Sequence, residues 1–141
     1  MSRGRIVGVD HLGVAVPDSA ASGEAFRKAF DFDRGHRETL PDHGVKTEFY
    51  MVGDMTEIEF IEPLDQENSI GKYLSKKGSG IHHIARRVEG LDALLEDMKA
   101  RGIRLVDEKP RPGAQGKRVA FVHPKSVGGI LMELVEHPQS E

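Results

Sequence analysis

Hydrophobic and polar positions alternate in several short runs of the chain, as they do in β-strands with one buried face. In VDHLGVAVPD (residues 9–18), Leu12, Val14 and Val16 share the face that we expect to pack on a helix. His11 then points to the opposite face, beside small residues that let a ligand approach the backbone. The pattern predicts a strand with one histidine on a ligand-facing side.

Other segments have the 3.6-residue periodicity of amphipathic helices. One helix is predicted over Ser19–Phe30 and another over Leu91–Arg101, with Gly102 as the residue that ends it. A short linker helix is predicted within DQENSIGKYLSKKGSG (65–80), which closes in a glycine-rich turn. These helices separate the strand-like runs into two groups.

The two groups are related by an internal repeat. VDHLGVAVPD (9–18) aligns with IHHIARRVEG (81–90), which places His11 over His83. Each of these strands is followed by a helix and three further predicted strands. The further strands are Gly35–Leu40, Val45–Val52 and Glu57–Glu62 in the first half, and Ile103–Val106, Arg118–Val122 and Ile130–Glu136 in the second.

This element order predicts an α+β fold built from two tandem βαβββ modules in a single domain, residues 1–141. The first module spans about residues 5–64 and the second about 80–137, with the linker helix at about 65–79. The closing strands of the modules also align, TEIEFIE with ILMELVE, and this places Glu59 over Glu133. Both glutamates share the face of the histidines, because their apolar neighbours take the core side.

The same alternation chooses between neighbouring polar residues. In GIHHIA (80–85), His83 lies on the ligand-facing side and His82 on the opposite side. Glu62 and Glu136 differ in parity from the glutamates above, and we expect them to be exposed at strand ends.

His11, Glu59, His83 and Glu133 therefore form a candidate metal site. Two imidazoles and two carboxylates suit a borderline divalent ion such as Co²⁺, Mn²⁺, Ni²⁺ or Zn²⁺. In an octahedral site two positions would remain for water or substrate. A single histidine on a strand is usually a hydrogen-bonded structural residue. The recurrence of a matched histidine and glutamate in both halves favours the metal site.

Composition and charge exclude several classes of function. The 141 residues carry a net charge of −3 with a pI near 6.2, so we expect no nucleic-acid partner. The absence of cysteine excludes disulfides, thiolate catalysis and thiolate metal ligands. The N-terminal segment lacks a signal-peptide pattern and no apolar run approaches membrane-spanning length, so we expect a cytoplasmic protein with no membrane partner.

At the level of whole motifs, the chain resembles the methylmalonyl-CoA epimerase family of the vicinal-oxygen-chelate superfamily. The resemblance covers nearly the whole chain and rests on HLGVAV, IEFIEPL, SIGKYLSKKGSGIHHIA and DEKPRPGAQGKRVAFVHPKSVGGILMELVE. It implies a curved, eight-stranded, barrel-like sheet around one metal ion, usually in a homodimer. It also implies that the ion is held by His11, Glu59, His83 and Glu133.

The resemblance further implies an isomerase that interconverts the (2R) and (2S) forms of methylmalonyl-CoA, an acyl-CoA substrate. Removing the C2 proton gives an enolate-like anion that a divalent ion stabilises, and inversion needs proton transfer on both faces of C2. Glu133 is one candidate for proton transfer. In some relatives the second is a glutamate at the position of Thr47, so we name the neighbouring Glu48. Alternation points Glu48 away from this face unless a β-bulge shifts the register, and a metal-bound water is the alternative carrier.

The loop KPRPGAQGKR (109–118) is basic and rich in glycine, and no acidic residue lies between it and Lys125. Lys and Arg pair with phosphate, and glycines expose backbone N–H groups. We therefore predict that Lys117, Arg118 and Lys125 contact the phosphates of CoA, with a plain basic surface loop as the alternative.

Three other functions in the same superfamily stay open. A glyoxalase I-type lyase would use a similar metal set on a glutathione hemithioacetal. An extradiol dioxygenase would need two histidines, one carboxylate and an open iron site, and Glu59 counts against it. A metal-free drug-binding or resistance protein would have no reason to keep four ligands on matched faces.

Overall fold

The structure, a computed structural model, describes residues 4–31, 34–53 and 55–139. These residues form eight strands, three α-helices and three short 3₁₀ turns. The strands are β1 (Arg5–Ala15), β2 (Arg34–Leu40), β3 (Val45–Met51), β4 (Glu57–Pro63), β5 (Gly80–Glu89), β6 (Arg111–Pro112), β7 (Arg118–Val122) and β8 (Met132–Glu136). The helices are α1 (Ser19–Phe30), α2 (Ser69–Lys77) and α3 (Leu91–Ala100), and the 3₁₀ turns are Pro41–His43, Ala114–Gly116 and Pro124–Ser126.

Each half of the chain follows the predicted βαβββ order. In the first half, β1 pairs in parallel with β4, and β3 lies antiparallel between β2 and β4. In the second half, β5 pairs in parallel with β8, and β7 lies antiparallel between β6 and β8. The strands form one sheet in the order β2-β3-β4-β1-β5-β8-β7-β6. The predicted α+β fold with an eight-stranded sheet is confirmed.

Residue contacts divide the chain into two compact units. One unit comprises residues 11–82. The other combines the chain up to Asp10 with the chain from His83 onward. The organisation as a single domain with two modules stays a prediction.

The strands of the first unit bury both of their faces. The face towards α1 holds an apolar cluster: Val16, Tyr50 and Phe60, with Phe26 of the helix packed against them. On the opposite face, Ile70 of α2 packs with Ala15 and Ile61. The side chains that alternate with the α1 cluster therefore belong to the face that carries His11.

The second unit has its main core beneath α3. Leu91, Leu94 and Leu95 fall on one side of this helix, as their spacing predicts, and pack with Val88 of β5 and Leu134 of β8. Since all five side chains are at most 7% exposed, this cluster removes a large apolar area from water.

The helices begin and end close to the predicted residues. α1 has the predicted bounds, α2 lies within the predicted linker helix, and α3 is one residue shorter than predicted. Gly102, with φ +79°, ends α3 as expected. Its N–H donates to Lys99 O, and the N–H of Ile103 donates to Met98 O, both at 3.0 Å. These two bonds define a Schellman motif. Within the described ranges, no helix is both long enough and apolar enough to cross a membrane.

The second strand of the second module lies elsewhere than predicted. The sequence predicts a strand over Ile103–Val106, but the structure has only an isolated bridge there, between Leu105 and Val122. The strand that pairs with β7 is the two-residue β6, and Pro112 within it lacks an N–H to extend the ladder. The prediction over Ile103–Val106 is therefore wrong, because a short apolar run can be buried without joining a ladder.

Gly23 of α1 is a position at which we expect alanine to destabilise the fold. Alanine usually favours a helix interior over glycine by about 0.5–1 kcal/mol. Here an added Cβ would overlap Tyr50 Oη and lie 2.8 Å from two ring carbons of the fully buried Tyr50. We expect Gly23→Ala to lower the free energy of unfolding by about 1–3 kcal/mol in a denaturant titration. The cost should shrink in a Tyr50→Phe background, which lacks the nearest atom, and an equal cost in both backgrounds would contradict the steric cause.

Candidate metal centre

The first unit contains one histidine–glutamate pair. β1 and β4 run in parallel and pair Gly13 with Glu59, so the Glu59 side chain lies beside that of His11 on the same face. His11 Nε2 is 3.1 Å from Glu59 Oε1. Both residues are buried, at 4% and 8% exposure. A buried carboxylate needs a partner, and the imidazole supplies one in this structure.

The second unit contains an equivalent pair. β5 and β8 run in parallel and pair Ala85 with Glu133, which sets Glu133 beside His83. His83 Nε2 is 3.1 Å from Glu133 Oε1, the same separation as in the first pair. Both residues are again buried. The internal repeat in the sequence is therefore reproduced atom for atom in these contacts.

A phenylalanine packs on each of these histidines. Phe49 pairs with Glu59 across β3 and β4, and its ring meets His11 edge to face at 5.9 Å between centroids. Phe121 pairs with Glu133 across β7 and β8, and its ring meets His83 edge to face at 5.5 Å. Such contacts fix the orientation of the imidazoles. The sequence analysis missed both residues, although they are separated by the same offset as the two histidines.

The geometry fits a divalent ion. Neighbouring ligands about 2.1 Å from a common ion lie roughly 3.0–3.4 Å apart, which matches the separation within each pair. Each pair therefore offers two donor atoms at a spacing that suits one ion, and imidazole with carboxylate is a donor set that divalent ions accept.

The structure does not bring Glu48 to this face. Glu48 pairs with Phe60 on the α1 side of the sheet, because no bulge shifts the register between β3 and β4. Its carboxylate accepts a hydrogen bond from Tyr50 Oη at 3.1 Å and pairs with Arg37 Nε at 3.3 Å. Thr47 faces the metal candidates, and its hydroxyl donates to Glu38 O at 3.3 Å. Neither residue is positioned as the second proton-transfer group.

Glu62 and Glu136 are half-buried rather than exposed. Glu62 Oε1 accepts the backbone N–H of Ser19 at 2.9 Å, and Glu136 Oε2 accepts that of Leu91 at 3.0 Å. Each carboxylate thus binds the first backbone donor of the helix that follows the first strand of its module, where a negative charge is favourable. The expectation that Glu62 and Glu136 are exposed to solvent is therefore wrong. The recurrence of a glutamate at this position in both modules was the sequence signal for their shared contact with a helix N-terminus.

The three basic residues predicted to contact CoA have different surroundings. Lys117 is 5% exposed, and its Nζ lies 3.9 Å from Asp10 Oδ2 in the same unit. Arg118 donates to Asp92 Oδ1 at 2.9 Å and to Glu136 Oε1 at 2.8 Å. Lys125 is exposed. Two of the three side chains are therefore engaged by carboxylates of the second unit.

These contacts change the ionisation of the groups involved. The hydrogen bond from Arg118 lowers the pKa of Asp92. Desolvation, followed by the charges of Arg104 and Lys125, lowers the pKa of His123. His123 is then favoured in its neutral form, in which Nδ1 accepts the N–H of Lys125 at 3.1 Å.

Comparisons with known proteins agree with this architecture. The glyoxalase/bleomycin resistance protein/dioxygenase superfamily matches residues 10–121. Over 127 residues, the chain is 35% identical to the mitochondrial methylmalonyl-CoA epimerase of Homo sapiens, covering 89% of this chain and 72% of that protein. Over 128 residues, it is 37% identical to the ethylmalonyl-CoA/methylmalonyl-CoA epimerase of Cereibacter sphaeroides, covering 89% of this chain and 95% of that protein.

A solved structure supports the same relationship. A variant of the Streptomyces coelicolor methylmalonyl-CoA epimerase in complex with 2-nitronate-propionyl-CoA superposes with a TM-score of 0.92 at 32% sequence identity. The match covers 96% of this chain and all of that one (100%). With the repeated histidine–glutamate pairs, these similarities show that the chain belongs to the glyoxalase/bleomycin resistance protein/dioxygenase superfamily and, within it, to the family of the methylmalonyl-CoA epimerases.

Proposed function

We propose that the protein is a metal-dependent epimerase that interconverts (2R)- and (2S)-methylmalonyl-CoA. The observation that carries the proposal is the pair of matched contacts, His11 with Glu59 and His83 with Glu133, each at 3.1 Å. Relatives that share this chain's fold are epimerases of acyl-CoA substrates by name. The contacts suit a divalent cation, and the relatives' names indicate a substrate whose C2 proton lies between two carbonyl groups.

The proposed metal ligands are His11, Glu59, His83 and Glu133. Two nitrogen and two oxygen donors suit borderline ions, so we propose Co²⁺, with Mn²⁺, Ni²⁺ or Zn²⁺ as alternatives. A bound divalent ion would supply Lewis-acid stabilisation of the negative charge that develops when the C2 proton leaves. The protein's part is to hold the four donors in a buried, preorganised arrangement, and the two phenylalanines support the imidazoles in it.

Glu133 is the proposed proton-transfer group on one face of C2. Its Oε1 contacts His83 Nε2, and the carboxylate would exchange a proton with the substrate. A carboxylate near the reacting carbon would take the proton in one direction of the reaction and return it in the other. Burial at 7% exposure keeps bulk water away from the anion formed in between.

The proposed phosphate contact with CoA is centred on Lys125. Its exposed ammonium can pair with phosphate without losing an existing partner of the side chain. Lys117 and Arg118 were predicted for the same role, and their carboxylate partners would have to be exchanged for phosphate. A homodimer and a cytoplasmic location stay predictions.

The test is deuterium incorporation at C2 of methylmalonyl-CoA in D₂O, followed by NMR. Protein as purified, protein treated with a chelator, and protein reloaded with Co²⁺ are compared. We expect exchange that the chelator removes and Co²⁺ restores, with unchanged circular dichroism. If metal-loaded protein shows no exchange, the epimerase proposal is withdrawn.

Two further substrates separate the rival functions. Conversion of a glutathione hemithioacetal in place of C2 exchange would assign the protein to the glyoxalase I-type lyases. Ethylmalonyl-CoA, larger by one methylene, tests the breadth of the acyl pocket, where one methylene is worth about 1–3 kcal/mol. We expect exchange on both acyl-CoA substrates and none on the hemithioacetal.

A further inference from the structure

We propose that His36, held by Glu38, is the second proton-transfer group of the epimerisation. The inference rests on the proposed function, because only a reaction that inverts C2 needs a proton-transfer group on each face of the substrate. Both residues belong to β2, and neither stands out in the sequence.

The need for such a group follows from the surroundings of Thr47 and Glu48. The Thr47 hydroxyl is too weak a base to remove a C2 proton, and it donates to Glu38 O. Glu48 lies on the α1 side of the sheet with Tyr50 and Arg37 as its partners. A side chain that serves as the second group must therefore belong to another residue on the face of His11.

Alternation along β2 places His36 on that face, because His36 has the same parity as Glu38, which pairs with Thr47, and a β-bulge begins at His36. β2 pairs Arg37 with Glu48 and Arg34 with Tyr50, so two residues, Gly35 and His36, oppose the single residue Phe49. A Cβ at Gly35 would lie 3.0 Å from Phe49 O, so glycine suits this close approach. Bulges are enriched beside active sites.

Ring contacts connect His36 with the first histidine–glutamate pair. The rings of His36 and Phe49 lie 6.4 Å apart, and Phe49 in turn packs on His11. Glu38 pairs with Thr47 and so shares this face. The His36 and Glu38 side chains are 39% and 30% exposed, so that a substrate can reach them, whereas His11 is 4% exposed.

The contact between His36 and Glu38 has the geometry of an oriented base. His36 Nε2 lies 2.8 Å from Glu38 Oε1. An ionised carboxylate only accepts hydrogen bonds, so Nε2 carries the proton in the neutral ring and Nδ1 is the basic nitrogen. The C2 proton moves to Nδ1, the electron pair of the C–H bond stays on the substrate as the enolate, and the ring becomes an imidazolium paired with Glu38. In the reverse direction Nδ1–H returns the proton to C2.

The test follows single enantiomers in D₂O with the metal-loaded His36→Ala variant. Loss of C2–H is measured by NMR, the epimer formed is measured separately, and metal content is determined. We expect epimerisation to fall by about 10²–10⁴-fold. One enantiomer should still exchange its C2 proton, because Glu133 serves it, whereas the other should exchange as slowly as it epimerises. Metal content should equal that of the wild type.

Several outcomes would overturn the assignment. Epimerisation at the wild-type rate would remove His36 from the reaction, and an equal loss of exchange for both enantiomers would indicate a structural role. The same asymmetry in Glu57→Gln but not in His36→Ala would assign the role to Glu57, which lies on the same face in β4. Absence of exchange in the wild type itself would instead contradict the proposed function, so the two failures are distinguishable.

A histidine in the neighbouring 3₁₀ turn gives a matched control. His43→Ala removes an imidazole close to β2 in the chain, and we expect wild-type rates for both enantiomers. Glu38→Gln tests the positioning residue, since a neutral amide no longer stabilises the imidazolium. We expect it to show a weaker form of the His36→Ala asymmetry, and symmetric or absent effects would contradict the orienting contact.

Discussion

Replacing His83 with alanine is expected to remove the bound divalent ion and, with it, C2 exchange, whereas replacing the adjacent His82 should leave both. His83 is buried against Glu133. His82 points to the other side of β5, where its ring meets Tyr73 at 5.2 Å. Loss of an outer-shell partner typically lowers metal affinity about 10–100-fold, and loss of a ligand should exceed that. His82→Ala should lower stability by about 0.5–1.5 kcal/mol through loss of the edge contact with Tyr73.

The measurement is metal content after dialysis, together with the C2 exchange rate, for both variants. The two substitutions are chemically identical and one position apart, so unequal results isolate the face on which each imidazole lies. Equal metal binding by the His83→Ala and His82→Ala proteins would contradict the proposed centre. His11→Ala should reproduce the His83→Ala result, because the repeat gives both imidazoles the same contacts.

The second large effect is expected at Glu133. Glu133→Gln should lower the epimerisation rate by about 10²–10⁴-fold, because an amide cannot accept the C2 proton. Glu136→Gln should instead lower stability by about 1 kcal/mol, since a neutral amide interacts less favourably with the N-terminus of α3 and with Arg118. The two glutamates lie on the same strand with opposite parity, so each serves as the control for the other.

Initial rates and denaturant midpoints of both variants separate these roles. We expect the Glu133→Gln variant to have the wild-type denaturant midpoint and a much lower epimerisation rate. We expect the Glu136→Gln variant to have the wild-type epimerisation rate and a lower denaturant midpoint. The reverse pattern would mean that Glu133 supports the fold and Glu136 the reaction. Such an exchange of roles would contradict the parity argument for both modules.

Alternation along strands was sufficient to select His83 over His82 and Glu133 over Glu136. The reason is physical, because a strand with one apolar face leaves no choice of register for its polar neighbours. A single strand does not show which glutamate accompanies which histidine. The internal repeat indicated this, because it aligns His11 with His83 and Glu59 with Glu133. Helix bounds were also predictable, since Gly102 stops α3 through its backbone conformation alone.

Other features depend on information that a local pattern lacks. The bulge at Gly35 and His36 is set by pairing with β3, so parity counted along β2 alone could not reveal it. The partners of Glu62 and Glu136 are helix N-termini distant in sequence, and a charged residue at a strand end usually indicates exposure. The run Ile103–Val106 is apolar enough for a strand, and only its neighbours decide that it makes a single bridge.

The parallel pairing of the first and last strands in each module has a consequence for assembly during protein synthesis. A nascent chain can place His11 beside Glu59 once β4 has left the ribosome. The contact between His83 and Glu133 can form only after β8, near the C-terminus, has been synthesised. Pairing strands that are distant in sequence also costs loop-closure entropy before the new contacts stabilise the chain. Completion of the proposed metal site is thus a late event, and an mRNA truncated before Met132 would yield a product with three of the four proposed ligands, without Glu133.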